Sequence, residues 1–195
     1  HICKQDSFHI FHSLAHIAMA FEIGAQDLCD LIIDEKVCEE DWSLADCLYG
    51  MCSYTGQLTG FDLLRPDIKI MHGERDGAVA LIDQMIFILS QEATRLGIES
   101  RNDWYVSLAA NDQPIQFNDR MAAELEKLCA PFFDLIEIYH PLHRAALMAK
   151  AAGRMVAVAA GGEIPEIEPA LARTMTMTAL SESYRAQQQL RRVVS

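Results

Sequence analysis

Apolar residues recur every three or four positions between Asp76 and Leu96, and this periodicity constrains the fold more than any other feature of the sequence. Such spacing is typical of an α-helix with one face buried along its whole length. Gly97 follows and is typical of the left-handed residue that ends a helix, with Ile98 placed to contact the last turn. The apolar positions are Ala78, Leu81, Ile82, Met85, Ile86, Leu89, Ala93 and Leu96. A helix of this kind needs other helices to cover it.

Three more helices are predicted upstream of this one. The first, rich in apolar residues, ends at Gly24, and the second covers residues 27–37. Ser43 caps the third, which is predicted to stop at the glycines Gly56 and Gly60 because glycine weakens a helix interior.

Prolines organise the C-terminal half of the chain. Pro131 is predicted to restart the chain into a new helical piece, and Pro141 is predicted to open the next helix with His140 at the N-cap position. The segment 161–169, GGEIPEIEP, is the best linker candidate. Pro169 then opens a final helix.

These elements predict a mainly α fold, either a multi-helix bundle or an orthogonal helical array. One minor two-stranded element is compatible with the alternating patterns at 68–72 and 104–108, and residues 174–178 also alternate like a strand. The predicted division is a helical core domain, 1–162, followed by a linker and C-terminal helical arm, 163–195. The arm is expected to pack on the core or on a partner chain.

The formal net charge of −12 restricts the classes of partner. Phosphate backbones and anionic membranes repel such a surface, so we expect neither nucleic-acid nor membrane binding. No stretch approaches the roughly 18 consecutive apolar residues of a membrane span. Acidic side chains are concentrated in the first half of the chain, while the last third is close to neutral.

Six cysteines are present, but no two form a Cys-x-x-Cys pair. Zinc-ribbon and thioredoxin-type sites therefore lack their usual spacing. Without a secretory pattern ahead of them, we expect reduced and mostly buried thiols in a cytoplasmic protein.

Histidines interrupt the first predicted helix at His9, His12 and His16. At about 100° per residue they fall within an arc of roughly 60°, and Met19 and Ile23 continue the same strip. Neutral imidazole binds zinc, iron, copper or nickel, and two histidines four residues apart can share one ion. The strip can equally be the polar edge of an ordinary core helix.

A second histidine pair lies in the segment EIYHPLH. Glu137 and His140 have the spacing of di-iron helix bundles, but Pro141 pushes His140 out of the α region and no second Glu-x-x-His occurs. A mononuclear zinc or iron site remains one hypothesis, and helix capping remains the simpler interpretation. The candidate metal ligands are His12, His16, His140 and His143.

Catalytic signatures are missing from the rest of the chain. The sequence contains neither a GxSxG nucleophile motif nor a phosphate-binding glycine loop. Asp30 and Asp34 have magnesium-site spacing, but without a second acidic helix a solvated face is the better interpretation. Catalytic residues therefore stay unknown, and no resident cofactor is predicted.

By elimination, the sequence favours a non-catalytic helical protein–protein interaction module, such as a regulator, adaptor or assembly factor. A homo-oligomer is expected, because an amphipathic tail gains stability by burying its apolar face. The alternative is a metal-dependent helical enzyme or metal sensor that uses the two histidine pairs. The predicted interaction residues are Met175, Met177, Tyr184 and Leu190.

Overall fold

The computed structural model describes residues 19, 21–62, 74–98, 119–161 and 165–194. Met19 and residues 21–32 are α-helical, and the latter run directly into a π-helix, Ile33–Cys38; together these residues form α1. The remaining elements are α2 (Leu44–Asp62), α3 (Glu74–Arg95), α4 (Asp119–Leu135), α5 (Pro141–Ala160) and α6 (Pro169–Val194).

The predicted mainly α fold is confirmed, and the described part of the chain contains no β-strand. α2 lies at the centre, where α4, α5 and α6 pack around it, and α3 packs mainly on α5. The two-stranded element proposed for 68–72 and 104–108 falls outside the described residues. The strand-like alternation at 174–178 was misleading, since these residues lie within α6.

α1 does not end at Gly24, as the sequence suggested, but continues through it as one helix. A Cβ at Gly24 would lie 3.6 Å from side-chain atoms of Ile136 and Leu147, so the glycine sits where α1 meets α5 and the segment before it. The inner face of α1 is almost fully buried and consists of Ala25, Leu28, Cys29 and Ile32.

α2 also continues through the glycines that were predicted to stop it. A Cβ at Gly56 would lie 2.3 Å from the carbonyl oxygen of Leu180, so only glycine lets α6 cross α2 at this distance. Gly60, one turn after Gly56 in α2, faces Gln187 of α6. The two glycines mark a crossing between helices and not a break, because tertiary packing overrides the weak helix propensity of glycine.

The prediction for α3 is confirmed at its C-terminal end. Gly97 has φ +100°, and the Ile98 amide donates to the carbonyl of Ala93, which satisfies the last turn. α3 meets α5 at Gly153, where a Cβ would lie 2.5 Å from the carbonyl oxygen of Leu89.

Pro131 was expected to begin a helix but lies inside α4 on its exposed side. An exposed proline is tolerated there because water can satisfy the carbonyl that loses its helical hydrogen bond. The helical piece expected to reach Tyr139 ends earlier, at Leu135. The start of α5 at Pro141, with His140 as N-cap, is as predicted.

The predicted linker is partly docked on the core. Glu166 accepts a hydrogen bond from the amide of Leu44 (2.9 Å) and so helps to cap α2. Ile167 is buried and donates its amide to the carbonyl of Ala159. α6 then lies along α2, where the Ser183 hydroxyl donates to the carbonyl of Ser53. In this structure the predicted arm packs on the core of its own chain.

None of the described helices combines the length and the apolar character needed to cross a lipid bilayer.

Candidate interaction site at the α4–α5 loop

The end of α4 and the loop that follows it expose two large apolar side chains. Leu135 is 80% exposed and Tyr139 is 65% exposed, whereas Ile136 and Ile138 between them are half-buried. Glu137, at the centre, has φ +58°, an uncommon left-handed conformation for a residue other than glycine. This turn directs alternate side chains outward, so the loop presents an apolar tip.

Helix ends and one arginine hold the loop in place. The Ile138 amide donates to the carbonyl of Phe133 (2.9 Å), which closes the last turn of α4. Arg144 donates to the carbonyl of Ile138 (2.7 Å) and to the carboxylate of Asp134 (2.8 Å). Its guanidinium also lies over the ring of Phe133, 5.2 Å from the centroid. The loop is therefore a pre-organised structure and can bind without a large ordering cost.

The loop adjoins an exposed apolar part of α1. Gly24 lies against Ile136, as described above, and its neighbour Ile23 is 56% exposed. Met19, one turn earlier, is 59% exposed. We call Met19, Ile23, Leu135 and Tyr139 the apolar corner. Single exposed apolar residues are common, but four on two adjoining segments favour a binding surface.

His140 and His143 lie next to the apolar corner, with ring centroids 5.0 Å apart. Nδ1 of His140 accepts a hydrogen bond from the Leu142 amide (3.3 Å), so the neutral ring carries its proton on Nε2. A metal at Nε2 would need that proton on Nδ1, and the cap bond would then be lost. This geometry favours a capping role for His140.

His12 and His16 lie outside the described residues. Among the described side chains, no group of three His, Cys, Asp or Glu residues is arranged to hold a metal ion.

The predicted interaction residues in α6 face the interior to different degrees. Met177 and Tyr184 are buried in the packing of α6 on the core, and Met175 is half-buried. The backbone of Leu190 is helical, while its side chain lies outside the described set. Sequence reasoning missed the exposure of Leu135 and Tyr139: Leu135 is the last residue of α4, and Tyr139, which was assigned to a helical piece, lies in the loop that follows.

No known protein family, curated protein or solved structure matches this chain. A functional hypothesis for it must therefore come from the chemistry of its own surface and core.

A cluster of charged residues joins α1, α3 and α5 and extends from the buried Glu92 to the half-exposed Glu22 and Arg95. Glu92 of α3 is only 4% exposed and accepts two hydrogen bonds from Arg95, at 2.7 and 3.0 Å. Its carboxylate also lies 2.9 Å from Nε of Arg154, in an ion pair without the alignment of a hydrogen bond. Glu22 of α1 binds Arg154 (2.9 Å) and Lys150, and the hydrogen bond from Lys150 is the main reason why the pKa of Glu22 is lowered. The cluster fixes α1, and with it half of the apolar corner.

The described cysteines have no environment that would activate a thiolate. Burial raises the pKa of Cys29, Cys47 and Cys129 to about 12, and burial also raises the pKa of Cys52. Cys38 is exposed at the end of the π-helix. Nucleophilic catalysis by a buried cysteine is therefore disfavoured.

We expect iodoacetamide to alkylate Cys38 of the folded protein about a thousandfold faster than Cys29, Cys47 or Cys129 near pH 8. Burial raises the pKa of the three buried thiols and slows access of the reagent to them, whereas Cys38 is exposed. Peptide mass spectrometry over a time course measures the rates, with urea-unfolded protein as the control in which all four react alike. Equal rates in the folded protein would contradict the packing described above.

Proposed function

We propose that this chain is a helical protein–protein interaction module, a regulator, adaptor or assembly factor that acts without catalysis. Its binding surface is the apolar corner, and its partner is another protein or a second copy of the chain. The observation that supports the proposal best is the pre-organised α4–α5 loop with Leu135 and Tyr139 at its exposed tip. Exposed aromatic and aliphatic anchors on a rigid support are typical of the residues that dominate binding energy at interfaces.

The chemistry of the described ionisable groups is consistent with this proposal. The buried carboxylate of Glu92 is engaged by arginines, His140 caps a helix, and the buried thiols remain protonated. These groups support the fold. The exposure of the large apolar side chains Leu135 and Tyr139, by contrast, contributes nothing to folding.

A second candidate function is the metal-dependent enzyme or metal sensor. The proximity of His140 and His143 favours it, while the hydrogen bond at Nδ1 of His140 disfavours it. Stoichiometric zinc or iron in tag-free protein, lost in the His12→Ala, His16→Ala double variant, would favour this candidate over the interaction module.

The double variant Leu135→Ser, Tyr139→Ser tests the interaction module. We expect it to lose binding by at least about tenfold, because two exposed anchors are removed without touching the core. Light scattering over a concentration series measures self-association, and affinity capture from extracts of the source cells measures binding to other proteins.

Leu171→Ser is the matched control, since Leu171 is a large apolar residue of α6 that is 59% exposed away from the α4–α5 loop. This variant should keep wild-type association, and circular dichroism should show that all three proteins are equally helical. If Leu135→Ser, Tyr139→Ser associates as the wild type does, the apolar corner is not the binding surface.

A further inference from the structure

The exposed face of α1 changes from apolar to acidic along its length. Met19, Ile23, Asp27 and Asp30 lie within an arc of roughly 80° at 100° per residue, and all four are exposed. Asp34 follows one turn later in the π-helix and is exposed as well. We call these five residues the α1 face; its apolar end belongs to the apolar corner.

The carboxylates of this face have no basic partner within the described part of the chain. Asp30 accepts a hydrogen bond from Gln26 (2.8 Å), which carries no charge. The described ion pairs of α1 use Glu22 and Lys36 instead, and both of these point toward other helices. The negative charge of the α1 face is therefore directed at solvent.

This placement of acidic residues is unfavourable for α1 itself. Asp34 lies near the C-terminal end of α1, where the macrodipole is negative and basic residues are stabilising, and Asp30, four residues before it, adds like-charge repulsion. Positive charges from outside the chain would offset the repulsion. An acidic face is thus more easily explained by what it binds than by the stability of its own helix.

From this charge distribution we infer that the α1 face docks a basic amphipathic helix of another protein, with apolar residues at one end and lysine or arginine at the other. The inference rests on the proposed function and gives the partner of the same site a chemistry. A straight ridge from Met19 to Asp34 is roughly 22 Å long at 1.5 Å per residue, which suits a partner helix of about four turns.

Charge complementarity selects this occupant over a second copy. In a symmetric contact between two copies of this chain, the acidic ends of the two α1 faces would repel each other. Each copy also carries a formal net charge of −12, which adds to the repulsion. A basic helix carries the opposite charge, so electrostatic attraction would raise both the association rate and the specificity of the contact.

The test uses a synthetic helical peptide of about 16 residues whose contact face carries leucine toward one end and lysine toward the other, and a counterpart in which glutamate replaces lysine. Fluorescence anisotropy measures their binding to the full chain at about 50 and 500 mM salt. We expect the lysine peptide to bind, the glutamate peptide not to bind, and affinity to fall with salt. The triple variant Asp27→Asn, Asp30→Asn, Asp34→Asn should bind the lysine peptide at least about tenfold more weakly.

A control with the same change in net charge is Asp83→Asn, Glu126→Gln, Glu168→Gln, all at exposed positions outside α1. It should bind within about twofold of wild type. An equal loss in this control would show that net charge alone attracts the peptide and would overturn the inference, as would equal binding of both peptides or of neither. If Leu135→Ser, Tyr139→Ser loses its own association while the triple aspartate variant binds the lysine peptide normally, the interaction module stands and the basic partner is wrong.

Discussion

Gly56→Ala should lower the free energy of unfolding by about 3 kcal/mol, because one added methyl group would collide with the backbone of α6. The new Cβ would lie 2.3 Å from the carbonyl oxygen of Leu180 and 3.0 Å from the Tyr184 amide nitrogen, neither of which can rotate away. Relief requires α2 and α6 to move apart and to loosen the packing around both. Urea unfolding monitored by circular dichroism measures the change.

Gly24→Ala is the matched control for this substitution. It adds the same methyl group in the interior of a helix, but the nearest atoms would lie 3.6 Å away, at ordinary contact distance. Alanine should therefore stabilise the protein by about 0.5–1 kcal/mol through its better helix propensity. If Gly56→Ala is as stable as Gly24→Ala, the close crossing of α2 and α6 is wrong.

Glu92→Gln should destabilise the protein by about 1.5–3 kcal/mol, since it removes the charge from a buried carboxylate that bonds Arg95 and pairs with the largely buried Arg154. The side chain of Arg154 is only 11% exposed and would keep just one carboxylate, that of Glu22. Arg95 would also lose an ion pair of 2.7 Å. Thermal and urea unfolding measure the loss of stability, and near-ultraviolet circular dichroism reports on tertiary packing.

Glu124→Gln provides the comparison for a surface ion pair. Glu124 lies 2.9 Å from Arg120, whose side chain is largely exposed, and Lys36, 3.8 Å from Glu124, keeps its closer partner Glu40 at 2.8 Å. We therefore expect a loss below about 1 kcal/mol. A Glu92→Gln variant as mild as Glu124→Gln would show that water, and not the cluster, compensates the charges between α1, α3 and α5.

Local signals in the sequence were sufficient for several elements. The periodic face of α3, the left-handed Gly97 and the start of α5 at Pro141 each depend on residues within one or two turns of one another. Each has a local physical cause: α3 has one buried face, Gly97 adopts a conformation open to glycine, and Pro141 has a fixed φ angle. All three are properties of a short segment.

The errors arose where a distant helix determines the local structure. Gly24 and Gly56 look like helix breakers in the sequence, yet α5 and α6 approach α1 and α2 at these positions. The spacing of Gly56 and Gly60, four residues apart, was the available signal that both lie on one face. Pro131 was misjudged because its tolerance depends on which side of α4 faces solvent.

The candidate site was only partly accessible to sequence reasoning. The segment containing His140 and His143 was singled out for its chemistry, but the exposure of Leu135 and Tyr139 was not predicted, and Tyr139 was assigned to a helix. Their exposure follows from the left-handed turn at Glu137, a residue type that rarely signals this conformation. The contact of Ile136 with Gly24, more than 100 residues away, was equally invisible to local rules.

Hydrogen exchange measured by mass spectrometry, on the chain alone and in the assembly recovered by affinity capture, tests the interaction module most directly. Binding at the apolar corner predicts slower exchange on complex formation in the segment around Leu135 to Tyr139 and in α1 from Met19 onward, with little change in α3. Protection confined to other helices, or a captured assembly in which these two segments exchange as they do in the free chain, would contradict it.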